Sequence, residues 1–135
     1  MKIKIIHKNS GIDESEHSLF NDFLHFLQKN YPLKKDIEIY FLKNRVGDMT
    51  TGRRNDNHHL LILTSGRLNR DIIRTVAHEW VHEYQHTIQN KKKGKNIGGP
   101  LEDEANAKSG ELIKKFERYY PKHMKSIYKS HEKFS

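Results

Sequence analysis

The segment from Asn69 to Asn90 most constrains the fold, because its apolar residues recur at helical spacing over about six turns. A stripe this broad has to be buried against other parts of the chain, so the segment is predicted to be a long helix with one covered face. Asn69 is the expected N-cap, and Lys91 to Lys93 followed by Gly94 mark the expected C-terminal end. The stripe consists of Ile72, Ile73, Val76, Ala77, Trp80, Val81, Tyr84 and Ile88.

The same segment contains the pattern His78-Glu79-Trp80-Val81-His82. At about 100° per residue, His78 and His82 lie about 40° apart and one turn along the axis, so both imidazoles can reach one Zn²⁺. Their midpoint lies about 160° from the centre of the apolar stripe, away from the main buried face. Glu79 lies to one side of them, where it can accept a proton from a water molecule without binding the metal. The pattern therefore predicts a zinc site with one ion per chain and Glu79 as general base.

The remaining apolar patterns predict a single α+β domain over residues 1–135, with a small mixed sheet. A second helix follows the long one and offers candidates for the third metal ligand. Residues 44–57 hold almost no apolar side chains and are expected to be a loop or a hairpin tip. Other predicted elements are strands at 2–7, 37–42 and 60–63, helices at 13–30 and about 100–119, and a basic C-terminal tail at 121–135 with weak helical character.

The third ligand has several candidates, and all are histidines or carboxylates because the sequence contains no cysteine. Asp103 points nearly opposite the buried stripe of its helix and is the poorest acidic candidate, whereas Glu102 and Glu104 lie on opposite flanks and either can reach a neighbouring helix. Acidic residues in a first helical turn also need no metal, because they complement the helix dipole. Among the histidines, His86 lies two turns from His78, which is too far for His78, His82 and His86 to meet on one ion. His58 and His59 precede a strand and could approach the pair from another part of the fold.

The segment 58–115 resembles the gluzincin metallopeptidases, in particular the minimal single-domain gluzincins and the ImmA/IrrE-like peptidases. The likeness rests on the histidine pattern extended by Gln85, on Glu104-Ala105-Asn106, and on the strand Leu60–Leu63. It implies that His78, His82 and Glu104 bind zinc, that Glu79 is the general base, and that Leu60–Leu63 is the edge strand that pairs with an extended substrate. Lys108-Ser109 departs from the aromatic-plus-alanine step of that family. The SprT-like proteins share the histidine helix but use a third histidine.

A peptidase of this kind acts on a peptide or protein and needs a donor for the oxyanion beside the metal. The candidates by residue type are Tyr119, Tyr120, His123 and Tyr128. Asn106 or Asp103 is expected to orient a ligand histidine through its second ring nitrogen.

Two alternative functions rest on the C-terminal third of the chain, one on its charge and the other on the size and position of the tail. The chain carries a net charge of +8, and residues 91–135, with 12 basic and 6 acidic side chains, account for +6 of it. The alternatives are a basic module that binds nucleic acid or another polyanion, and a peptidase kept latent by its C-terminal tail. No apolar run approaches the ~18 residues of a membrane span, and no stretch resembles a secretory signal peptide, so a cytoplasmic protein without membrane contact is expected.

Overall fold

The computed structural model describes residues 1–8, 10–92 and 99–131, which form a mixed sheet and helices. This confirms the α+β prediction, and the helix predicted at about 100–119 is present. A 3-10 turn at Glu14–Glu16 precedes α1, and another at Pro121–His123 precedes α4. The strands are β1 (Ile3–Lys8), β2 (Ile37–Leu42), β3 (Gly52–Arg54) and β4 (His59–Leu63), and the helices are α1 (His17–Asn30), α2 (Asn69–Thr87), α3 (Pro100–Tyr119) and α4 (Met124–Ile127).

The four strands form one sheet in the order β1-β2-β4-β3. β1, β2 and β4 run parallel, with Ile5 opposite Ile39 and Ile39 opposite Leu60. β3 runs antiparallel to β4, with Gly52 opposite Ile62. The sheet is therefore mixed because one short hairpin strand is added to a parallel core.

β3 corrects two predictions from the sequence. It lies within residues 44–57, which were expected to be a loop or a hairpin tip and instead contain a hairpin strand, and it places β4 inside the sheet instead of at its edge. Gly52, Arg53 and Arg54 show no apolar alternation. A short edge strand is held by hydrogen bonds on one side only and needs no such pattern, so its sequence resembles that of a loop.

The core lies between the sheet and the helices. The alternate residues Ile37, Ile39 and Phe41 of β2 are buried, and the ring of Phe20 from α1 lies 5.0 Å from that of Phe41. Trp80 is fully buried, and its Nε1 donates to the carbonyl of Tyr31 at 2.8 Å. The predicted stripe of α2 thus faces the core, as expected from its spacing. Within the described residues, no helix combines the length and the apolar character that crossing a bilayer requires.

The start of α2 differs from the prediction. Leu68 is the N-cap residue, and Asn69 is the first residue of the helix. The side chain of Asn69 is buried and donates to Glu16 Oε2 at 2.6 Å and to the carbonyl of Ser126 at 2.8 Å. Asn69 therefore joins the helix to distant segments instead of capping it.

The C-terminal tail packs against this same end of α2. The Lys129 ammonium contacts Glu16 Oε1 at 3.0 Å and Asp13 Oδ2 at 2.6 Å. The ring of His131 is buried, with Nε2 at 2.6 Å from Asn69 Oδ1. Residues 132–135, the end of the predicted tail, lie outside the described residues.

Candidate metal centre

Helix α2 brings two imidazoles together, as its spacing predicts. The rings of His78 and His82 lie 4.6 Å apart and nearly perpendicular, at 83°, with their Nε2 atoms 3.1 Å apart. Both side chains are partly buried, which limits the access of water to their inner edges.

Helix α3 adds a carboxylate to this pair. Glu102 places Oε1 at 2.8 Å from His78 Nε2 and Oε2 at 3.0 Å from His82 Nε2. One ligand atom from each of the three residues lies within 4.8 Å of the others, so the group can hold a metal ion. Ligands at about 2.0–2.1 Å from a tetrahedral ion stand about 3.3 Å from one another. The Nε2–Nε2 distance of 3.1 Å and the two Nε2–carboxylate distances, each to a different oxygen of Glu102, are slightly shorter than that value.

The resemblance-based assignment of Glu104 differs from what the structure shows. Glu104 Oε1 accepts a hydrogen bond from Gln85 Nε2 at 2.8 Å and lies 3.6 Å from Lys91 Nζ. The hydrogen bond from Gln85, followed by the charge of Lys91, lowers the pKa of this carboxyl. Residues 102 and 104 are about 200° apart around a helix, so only one of them can face the histidines. In the structure the carboxylate that faces both histidines is that of Glu102.

Gln85 orients His82. Its Nε2 donates to the carbonyl of Leu101 at 3.0 Å and to Glu104, which leaves Oε1 to face His82 Nδ1 at 2.8 Å. Because an amide oxygen only accepts, Nδ1 carries a proton, so in a neutral ring Nε2 is the nitrogen that presents a lone pair. That lone pair points to Glu102 Oε2 and His78 Nε2, both of which are also acceptors when unprotonated. Asn106 and Asp103 were expected to orient a ligand histidine, but neither contacts His82 Nδ1. The sequence signal for Gln85 was its position three residues after His82, on the same face of the helix.

The electrostatics around His78 also favour a neutral ring. Burial is the largest effect and lowers its pKa, and the neighbouring His82 and Arg74 act in the same direction, while Glu102 opposes them. A neutral imidazole is the form that binds a metal, so less proton release is needed on binding.

Glu79 lies next to the three ligand candidates. Its side chain is 8% exposed, and Oε2 lies 3.9 Å from His78 Nε2. It is covered by β3: a Cβ built on Gly52 would lie 3.2 Å from Glu79 Cγ and 2.4 Å from Thr75 Cγ2. Glycine is thus required at position 52 for β3 to approach α2 this closely. Glu79, on α2, is therefore covered by β3 on one side and lines the cleft on another.

These groups open into a cleft of about 1080 Å³. Its walls are residues 50–56, one face of α2, and the first turns of α3. Glu79, His78, His82 and Glu102 all line it. A ligand larger than water can therefore reach the histidines through the cleft.

The four expected oxyanion donors do not line this cleft. His123 is buried and pairs with Asp22 at 2.7 Å, and the ring of Tyr120 stacks on that of Phe116 at 4.6 Å. Tyr119 and Tyr128 are exposed elsewhere. These residues were expected from their type alone. The cleft instead presents Arg74, whose positive charge lowers the pKa of His78.

The other candidate histidines have separate partners. His58 Nδ1 lies 2.7 Å from Glu83 Oε2, and His59 Nε2 lies 2.8 Å from Glu38 Oε2. His86 lines the cleft, but its Nδ1 lies 2.7 Å from the carbonyl of Lys91. None of them joins the group formed by His78, His82 and Glu102.

The predicted basic surface is partly neutralised. In the tail, Lys122 pairs with Asp22 at 3.3 Å and Lys129 with Asp13 and Glu16. The run Lys91-Lys92-Lys93-Gly94-Lys95 continues beyond the described part at position 93, and Lys133 also lies outside it. The remaining described tail lysine, Lys125, is exposed.

Comparisons with known proteins give no relative: no protein-family model matches the chain, and neither a curated protein nor a solved structure matches it.

Proposed function

We propose that this protein is a zinc-dependent peptidase, with His78, His82 and Glu102 as the metal ligands and Glu79 as the general base. The observation that carries the proposal is the convergence of three acceptors. Two Nε2 atoms lie 3.1 Å apart, and the oxygens of one carboxylate lie 2.8 and 3.0 Å from them. Gln85 holds a proton of His82 on Nδ1, so Nε2 of the neutral ring is an acceptor. Acceptors this close to one another favour a cation between them.

The donor set suits zinc, although other divalent metals bind the same ligand types. Two imidazoles and one carboxylate, with a position left for water or substrate, are a known catalytic combination for Zn²⁺. A bound zinc ion would act as a Lewis acid that lowers the pKa of a water molecule towards about 7 and polarises a carbonyl oxygen.

The chain's own residues account for the proton transfers. Glu79 faces the cleft beside the histidines and is shielded by β3, so it can accept the proton of the attacking water and return it to the leaving amine. Gln85 keeps His82 in the required tautomer, and the cleft has room for several residues of a peptide.

Metal analysis and hydrolysis test this proposal together. We expect about one zinc per purified chain, lost in His78→Ala, and cleavage of peptides by the zinc-loaded protein. Glu79→Gln is expected to retain zinc and lose activity by about 100-fold or more. A chain that binds no divalent metal, or a Glu79→Gln variant with full activity, would contradict the proposal.

The two alternatives have less support. The polyanion module rests on the net charge of the C-terminal third, but Lys122 and Lys129 are engaged in intramolecular ion pairs. Salt-sensitive binding of RNA or DNA without zinc would favour it. The latent peptidase requires the tail to cover the cleft, and no residue of 121–131 lines that cleft.

A further inference from the structure

Arg74 is placed to contact whatever occupies the cleft. It lies four residues before His78 on α2, and both side chains line the cleft. Residues at this spacing share one face of a helix, with Cβ atoms about 6 Å apart. Arg74 is exposed, so its guanidinium is accessible to a ligand that enters beside the histidines.

The other arginines of the cleft are held by the protein itself. Arg67 donates to the carbonyl of Leu63 and to Thr75 Oγ1, both at 2.6 Å. Arg54 binds Glu83 at 2.8 Å, and Arg53 binds Asp48 at 2.7 Å. The contacts of Arg67 and Arg54 fix the orientation of their guanidinium groups, whereas Arg53 is 50% exposed and forms a surface pair with Asp48, which is 88% exposed.

Arg74 differs from them. No carboxylate in the described part of the chain forms an ion pair with it, including Asp71, which lies three residues earlier and also lines the cleft. The Arg74 guanidinium approaches α3, where a Cβ built on Gly110 would lie 3.8 Å from Nη2, an ordinary van der Waals distance. Gly110 itself does not line the cleft.

We propose that Arg74 binds a carboxylate of the substrate and makes the enzyme selective for acidic peptides, an inference that rests on the proposed peptidase function. A guanidinium binds a carboxylate through two parallel hydrogen bonds, which gives both affinity and orientation. An extended peptide rises about 3.3 Å per residue, so the recognised carboxylate lies within about two residues of the cleaved bond. It belongs either to an Asp or Glu side chain or to the C-terminus of the peptide.

Matched peptides separate these two sources. One series carries a single Glu at successive positions on either side of the cleaved bond, with Gln at the same position as the control. A second series ends in a free or an amidated carboxyl group at the same positions. The zinc-loaded wild type, Arg74→Gln and Arg70→Gln are compared on kcat/KM. Arg70 is the matched control because it lies on the same helix, pairs with Glu117 at 2.9 Å, and does not line the cleft.

The wild type is expected to prefer one carboxylate-bearing peptide over its neutral counterpart by about 10- to 100-fold. Arg74→Gln is expected to remove this preference by slowing only the charged peptide, and Arg70→Gln is expected to keep it. A preference for Glu over Gln assigns the side chain, and a preference for the free over the amidated end assigns the C-terminus. Equal rates on all pairs in the wild type, or a preference that survives in Arg74→Gln, would overturn the inference.

A binding measurement distinguishes failure of this inference from failure of the proposed function. Peptide affinity is measured by calorimetry on the zinc-loaded Glu79→Gln chain, with and without Arg74→Gln. Tighter binding of the carboxylate-bearing peptide that depends on Arg74, in a protein whose wild type cleaves nothing, supports the subsite and contradicts the peptidase. Cleavage by the wild type, with binding that is indifferent to Arg74, supports the peptidase and contradicts the subsite.

Discussion

Glu83 Oε1 accepts a hydrogen bond from Arg54 Nε at 2.9 Å, and Arg54 Nη2 lies 2.8 Å from the same oxygen in the ion pair. The other oxygen of Glu83 contacts His58 Nδ1 at 2.7 Å. Glu83 lies one turn after Glu79 on α2, and Arg54 belongs to the edge strand β3. This cluster therefore joins the edge strand to the helix that carries the candidate metal ligands.

We expect Glu83→Gln to destabilise the protein strongly. The Glu83 side chain is 1% exposed and that of Arg54 is 12% exposed, so the variant leaves a largely buried guanidinium whose one remaining carboxylate partner among the described residues is the fully exposed Asp56, at 3.5 Å. Breaking a buried pair in this way costs about 3–5 kcal/mol of unfolding free energy, which urea denaturation measures.

Glu117→Gln is the matched control for Glu83→Gln. It removes the partner of Arg70 in a pair whose side chains are 31% and 19% exposed, and should cost about 1 kcal/mol or less. Equal losses in the two variants would show that the Glu83 cluster does not secure β3.

Gly52→Ala is expected to push β3 away from α2. The new methyl group would lie 2.4 Å from Thr75 Cγ2, and overpacking of this kind costs about 1–3 kcal/mol. Thr75→Ser removes that methyl while keeping the hydroxyl that Arg67 contacts, so the double variant should recover much of the lost stability. Thermal unfolding of the single and double variants measures the recovery. A double variant no more stable than Gly52→Ala would mean that the clash lies elsewhere.

The two glutamates of α3 should respond differently to substitution. Glu102→Gln is expected to abolish zinc binding, because its carboxylate contacts both histidines. Glu104→Gln removes only a neighbour of Gln85, so we expect zinc affinity to fall by about 10- to 100-fold. Competition titration with a chelating dye gives both affinities. Retention of zinc by Glu102→Gln together with its loss in Glu104→Gln would restore the assignment that the sequence resemblance implies.

Part of this site follows from helical periodicity, which the sequence reveals. The spacing of His78 and His82 placed both rings on one face, and the stripe containing Trp80 identified the opposite face as buried. The choice between Glu102 and Glu104 depends on how α3 packs on α2. Such tertiary register leaves no periodic signal in a single sequence, because both residues suit a first helical turn equally well.

The edge strand was missed for a related reason. Gly52 is required by its contact with Thr75, which lies on a different element, and Arg54 is fixed by Glu83, 29 residues away. Contacts between residues so distant in sequence show only when the fold brings them together. A run of Gly and Arg read locally favours a loop.

Acid is expected to weaken the attachment of the tail. Hydrogen bonds from Lys129 and then Ser15 lower the pKa of Asp13 from 3.8 to about 2. Because the folded pKa is the lower one, the contribution of Asp13 to stability is fully present above about pH 4 and is lost as the pH falls towards 2. Urea midpoints of the wild type and Asp13→Asn should therefore differ most above pH 4 and converge near pH 2. A difference that stays constant between pH 2 and 6 would contradict the ion pair with Lys129.

Removal of the tail tests whether it stabilises or inhibits the protein. A chain that ends at Tyr120 loses the buried side chain of Ile127, the ion pair of Lys129 with Glu16, and the contact of His131 with Asn69. Loss of one large buried side chain alone costs about 2–5 kcal/mol, so we expect a clearly lower unfolding free energy and, per folded molecule, no gain in peptidase activity. A chain that ends at His131 keeps all of these contacts and serves as the control. Because the described tail packs at the start of α2 and not along the cleft, higher activity of the folded truncated protein would argue for the latent peptidase instead.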